Sequence, residues 1–225
     1  MLIQLGDVTD CYPDVYECVE TLLTVINLIA IKGNHDDWFC EFISTDFHPQ
    51  YWNHGGLGTL TSYLDHAGKA RQYKETGRGY KTALISSDVP VTHQNFFMRQ
   101  QLHHVDEHSR CFVHGGFKPE VPFYLQRPEE FYWNRTLWDN TYQHQLFTQS
   151  CNDSDPFGYV SEFREIYLGH TPTTNYGSKQ PLNAFNIWNL DTGAGHSGLL
   201  TIMDVNTKEY WQSDPVMELY EKNMR

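Results

Sequence analysis

The feature that most constrains this chain is a repeated unit: a short apolar run, a glycine, then side chains able to bind metal or move protons. Ile29-Ala30-Ile31-Lys32 ends in Gly33-Asn34-His35-Asp36, and Leu2-Ile3-Gln4-Leu5 ends in Gly6-Asp7. Cys111-Phe112-Val113 runs into His114-Gly115-Gly116, and Ile166-Tyr167-Leu168 into Gly169-His170-Thr171. In an open α/β sheet, ligands bind beyond the carboxyl ends of strands, where several loops converge. Glycine at such an exit lets the backbone turn sharply and come close to a ligand. The pattern predicts an α/β fold in which Asp7, Asn34, His114 and His170 are four ligands of one metal, with His35 beside it.

A length of 225 residues fits one domain, and residues 1–225 are read as one. The net charge of -12, from 16 basic and 28 acidic residues, argues against a general nucleic-acid or anionic-membrane binder. The five cysteines are odd in number and show no C-x-x-C spacing, so neither a disulfide framework nor a zinc ribbon is indicated. No apolar run approaches membrane-spanning length, and the first residues carry no signal-type core, so a soluble cytoplasmic protein is expected.

Along the chain, a strand over Leu2–Leu5 is followed by a helix with Pro13 in its first turn. Val15, Cys18, Val19, Leu22 and Leu23 recur at helical spacing. With the strand ending at Lys32 they form a β-α-β unit. Helices are expected from Trp38, over Thr59–Leu64, and after Pro90 through Leu102. Further strands are expected at Ala184–Leu190, Gly198–Val205 and Glu209–Gln212, the last two joined by a hairpin turn at 204–207. Two irregular stretches, about 44–81 and 119–157, read as lid segments.

One Asp, one Asn amide oxygen and two His suit Mn, Fe or Zn better than Ca, which takes oxygens only. An open position on such a metal lowers the pKa of bound water. Singly, each residue has a plain reading: Asp7 as a helix cap, Asn34-His35-Asp36 as a polar turn, His114 and His170 as satisfied strand-end histidines. Their joint occurrence favours the metal site. Asp10, three residues past Asp7, is placed to orient His35 and hold it protonated. His103-His104-Val105-Asp106-Glu107-His108 reads as a solvated face at or after a helix. Asp191-Thr192-Gly193 offers one carboxylate where an aspartic protease needs a facing pair.

In order, Gly6-Asp7-Val8-Thr9-Asp10, Gly33-Asn34-His35-Asp36, Val113-His114-Gly115-Gly116 and Gly169-His170-Thr171-Pro172 resemble the calcineurin-like metallophosphoesterases. The nearest branch is the bacterial and phage-lambda-type serine/threonine phosphatases, with the diadenosine tetraphosphatases. Trp52 with Gly55-Gly56, Thr59 and Ser62-Tyr63 also looks like bacterial members, as does Asp191-Thr192-Gly193-Ala194. The resemblance implies a sandwich of two mixed β-sheets flanked by helices. It implies that Asp7 bridges two metals, Mn above all, and that Asn34, His114 and His170 complete the second. His35 would be the general acid, paired with Asp10, with Lys32 and Arg135 on the phosphoryl group.

Two departures stand out. The family's opening Asp-x-His block and its strand would precede Met1, so the fold is expected to lack its first strand and to hold one metal in place of the family's two. Cys11-Tyr12 stands where protein-phosphatase members have Arg-Gly, a substrate-gripping arginine. The implied activity is hydrolysis of phosphomonoesters, on a phosphorylated small molecule or a phosphoprotein. A dinucleoside polyphosphate hydrolase and a weak or inactive binding module are the alternatives.

Overall fold

The computed structural model describes residues 1–49, 52–77, 79–151 and 162–220. The chain divides into two compact units, the first comprising Met1–Gln101 and the segment from Met217 onward, the second Leu102–Val216.

In the first unit, β1 (Leu2–Gln4) and β2 (Leu28–Ala30) pair in parallel, and α1 (Val15–Leu23) lies between them in sequence. This is the β-α-β unit the sequence predicts. Val15 and Val19 are buried and Leu22 half-buried, whereas Cys18 and Leu23 are exposed. The buried stripe is thus the narrow i, i+4 row rather than the whole apolar set. Pro13 precedes the helix instead of starting it.

The helix expected from Trp38 begins earlier: α2 runs Asn34–Thr45. Gly33 is its extended N-cap, and the Asp36 carboxylate accepts the Gly33 backbone N–H at 3.1 Å. An acid at that position satisfies amides the first turn leaves unpaired. α3 (Gly56–His66) is longer than expected, and β3 (Tyr73–Thr76) and β4 (Gly79–Thr82) form an antiparallel hairpin. α4 (Val91–Met98) stops short of Leu102. Positions 50, 51 and 78 of the first lid stretch lie outside the described residues. Phe39, Phe42, Trp52, Leu60, Tyr63, Leu64 and Phe97 make the centre of this unit's core. Each such side chain contributes roughly 2 kcal/mol on leaving water.

The second unit holds a five-stranded mixed sheet in the order β5-β6-β7-β9-β8. Its strands are β5 (His103–Val105), β6 (Arg110–Val113), β7 (Glu165–Leu168), β8 (Leu182–Ala184) and β9 (Ile187–Asn189). β6, β7 and β9 run parallel, and each edge strand is antiparallel to its neighbour. Cys111-Phe112-Val113 and Ile166-Tyr167-Leu168 are buried throughout, as central parallel strands covered on both faces should be. Phe112 and Tyr167 are register partners whose rings stack at 5.0 Å.

Two local expectations are corrected here. His103-His104-Val105 is a strand, because it can pair with β6 across a turn that Asp106 closes, accepting the His108 and Arg110 backbone N–H groups at 2.9 Å each. Ala184–Leu190 is not one strand: the chain reverses at Phe185, with φ 49°, to make the β8–β9 hairpin.

The hairpin expected at 204–207 is present between β10 (Thr201–Met203) and β11 (Tyr210–Gln212). The second lid stretch contains α5 (Pro128–Trp133) and α6 (Thr136–Cys151), and its positions 152–157 lie outside the described residues. The α/β class is as predicted, with mixed sheets and flanking helices. Among the described residues no helix is long and apolar enough to cross a membrane.

Candidate metal and acid–base centre

In the first unit the glycine exits of β1 and β2 are fastened to each other by Asp36, to which the sequence reading gave no role. Its carboxylate is fully buried and accepts six hydrogen bonds, three on each oxygen. The donors are the backbone N–H groups of Asp7, Val8, Thr9 and Gly33, the Thr9 hydroxyl and the Gln100 side-chain amide. Burial, then the neighbouring Asp7 charge, pushes the Asp36 carboxyl up, while these donors pull it down. A full set of donors leaves no room for a proton, so the geometry favours the carboxylate.

The loop so fixed carries Asp7, whose φ is 57° and whose Oδ1 accepts the His35 backbone N–H at 3.1 Å. Gly33 permits this approach, since a Cβ there would stand 2.0 Å from Asp7 Oδ1 and 2.3 Å from Asp7 N. Asn34, buried, opens α2 beside it.

His35 Nδ1 lies 2.6 Å from Asp10 Oδ2. The other Asp10 oxygen accepts Trp52 Nε1–H at 2.9 Å and the Thr59 hydroxyl at 2.6 Å, while Asp10 N–H donates back to that hydroxyl at 2.8 Å. Trp52 and Thr59, noted in sequence only as a resemblance, thus hold the carboxylate that holds the histidine. Burial acts to lower the His35 pKa, but the Asp10 hydrogen bond and the charges of Asp7, Asp10 and Asp36 outweigh it and bring it to about 9. Burial raises the Asp10 carboxyl, opposed by His35, Thr59 and Trp52. With all three partners donating, the ionised pair is the form the contacts support. Lys32 Nζ sits 3.1 Å from Asp37 Oδ1 in the next turn.

In the second unit His114 follows β6 directly and His170 follows β7 by two residues, on adjacent parallel strands. Both are buried, and His114 Nε2 lies 3.2 Å from His170 Nδ1. Two nitrogens each ~2.1 Å from one ion, at tetrahedral to octahedral angles, stand ~3–3.4 Å apart. The pair therefore fits joint ligation of a metal. Arg135, expected on a phosphoryl group, has its guanidinium on the His170 carbonyl oxygen and 3.3 Å from the Thr171 hydroxyl. Asp191 closes its own turn, accepting the Gly193 N–H at 3.0 Å, which gives the Asp-Thr-Gly sequence a structural reading.

No family model and no curated protein matches the chain. Solved structures do. One, described as a "putative diadenosine tetraphosphatase", aligns with a TM-score of 0.57 at 13% identity, over 95% of this chain and 79% of its own. The chain shares the α/β fold of that protein. Also similar are a metallophosphoesterase from Sphaerobacter thermophilus (TM-score 0.47, 15% identity, 94% of this chain and 76% of its own) and a hypothetical protein from Pyrococcus horikoshii OT3 (0.45, 14%, 98% and 75%). At these identities the likeness is one of fold alone.

Proposed function

We propose that this chain is a metal-dependent phosphoesterase of the calcineurin-like type, hydrolysing phosphomonoesters of small molecules or phosphoproteins. The observation that carries the reading is the His35–Asp10 pair, a histidine held as its cation by a buried carboxylate. Such a group can donate the proton that a departing alkoxide needs. We assign Asp7, Asn34, His114 and His170 as metal ligands; a carboxylate, a carboxamide and two imidazoles suit Mn first, with Fe or Zn as alternatives. A divalent ion there would neutralise phosphoryl oxygens and make a water acidic. Lys32 and Arg135 are assigned to the phosphoryl group, which would compete with Asp37 and the His170 carbonyl for them. Among the described residues Cys11, Cys18, Cys40 and Cys111 form no disulfide, which suits a reducing compartment, and we assign the cytoplasm.

Turnover of p-nitrophenyl phosphate with added Mn, together with metal analysis, tests the reading. His35→Asn should lower turnover by about 10²–10⁴-fold with metal content intact. Asp7→Ala and His114→Ala should each lose metal. Unchanged turnover in His35→Asn would remove the general acid. Retention of full metal content in both ligand variants would remove the site. A second reading, dinucleoside polyphosphate hydrolysis, is favoured by the description of the protein with the 0.57 TM-score. Faster cleavage of diadenosine tetraphosphate than of the monoester would select it.

A further inference from the structure

The edge of β2 that faces away from β1 is partly open. Asn27 O accepts the Leu2 N–H and Ile31 N–H donates to Gln4 O, so odd positions from 27 to 31 address β1. Alternate residues of a strand turn their N–H and C=O groups to opposite sides. Leu28, Ala30 and Lys32 therefore address the other edge. There Gln101 bonds to Ala30 O and to Lys32 N–H, a single parallel bridge with Ile31 at its centre. Upstream of Gln101 the chain turns into α4 and does not continue the pairing. The Ala30 N–H and both backbone groups of Leu28 are left facing a groove of about 380 Å³.

Leu23, Leu28, Ala30 and Phe96 give that groove apolar walls, and Thr92 and Arg99 stand on its α4 side. Arg99 is exposed and has no side-chain hydrogen bond or ion pair among the described residues. The sequence Val25-Ile26-Asn27-Leu28-Ile29-Ala30-Ile31 carries no charge and no proline. Open edges are ordinarily blunted by just such residues.

We propose that this groove binds an extended peptide segment of a partner protein by strand addition to β2. The segment carries small apolar side chains at alternate positions and a carboxylate that reaches Arg99. The unpaired groups of Leu28 and Ala30 can be met by the backbone of an added strand, the walls favour apolar side chains, and Arg99 supplies the anionic preference. A second copy of the chain is disfavoured as occupant because each carries a net charge of -12.

The probe is acetyl-Thr-Val-Thr-Val-Thr-Glu, with its alternately N-methylated form as control, titrated into the full chain by NMR. The Leu28 and Ala30 amide resonances should shift with the parent peptide and slow in hydrogen exchange. The N-methylated form should bind at least tenfold more weakly. Arg99→Glu and the groove-filling Thr92→Trp, each checked for native circular dichroism, should both weaken binding at least threefold. Equal binding of the methylated peptide overturns strand addition, as do unmoved Leu28 and Ala30 amides at millimolar peptide. Protection of those two amides in the free monomer would also overturn it. If they become protected only as protein concentration rises, the occupant is a second copy and the assignment of a partner peptide falls.

Discussion

At the residue scale, the acid–base chemistry proposed for the first unit rests on one carboxylate to which no step of it is assigned. Asp36→Asn turns a terminal oxygen into an N–H₂ aimed at donors, and should cost about 3 kcal/mol or more in denaturant unfolding. Asp36 shows no catalytic pattern in sequence; its position three residues into a helix that opens on glycine was the available signal. Gly33→Ala should cost about 1–3 kcal/mol and lower metal content, because the new methyl meets the Asp7 carboxylate and amide together. The His35 cation has a pH signature. Its folded-state pKa of about 9 lies above the ordinary 6.5, so the stability it contributes is complete below about 6.5 and is lost as pH rises through about 9. NMR titration of metal-free protein should show that midpoint, and Asp10→Asn should move it down. Added Mn should lower it as well, since a cation on Asp7 cancels part of the field that raises it.

At the element scale, the strands that end in glycine were legible because each couples an apolar run to a turn residue. The helix that follows Gly33 starts four residues before Trp38, since Asn34-His35-Asp36 has the composition of a polar turn, and the tertiary donors on Asp36 join the local Gly33 N–H in making it an N-terminal anchor. The β8–β9 hairpin was hidden for a different reason. Phe185 adopts a positive φ that an aromatic residue rarely takes, and Asn183 Nδ2 secures the reversal on the Phe185 and Ile187 carbonyls at 3.1 and 3.0 Å. Asn183→Ala should therefore destabilise the protein by about 1 kcal/mol, read from its denaturation midpoint. His103-His104 is polar, and its strand depends on β6, its partner across the turn.

At the scale of the whole molecule, the α/β class and the order of the glycine exits follow from local patterns, while the division into two compact units does not, because no composition shift marks Gln101. A metal that binds only the folded chain stabilises it by mass action, about 2.7 kcal/mol at a hundredfold excess over Kd. Saturating Mn should accordingly raise the melting temperature by about 5–10 °C, and a chelator should reverse the gain. Absence of any shift would mean that the folded chain has no preferential metal site.

The Gln100 side chain gives Asp36 its most distant donor. During biosynthesis the loop bearing Asp7 emerges first, yet its anchor lacks that amide until the ribosome has passed position 100. A nascent fragment ending earlier would leave that carboxylate with five of its six hydrogen bonds. The order of synthesis thus delays the full anchoring of the Asp7 loop until position 100 has been made.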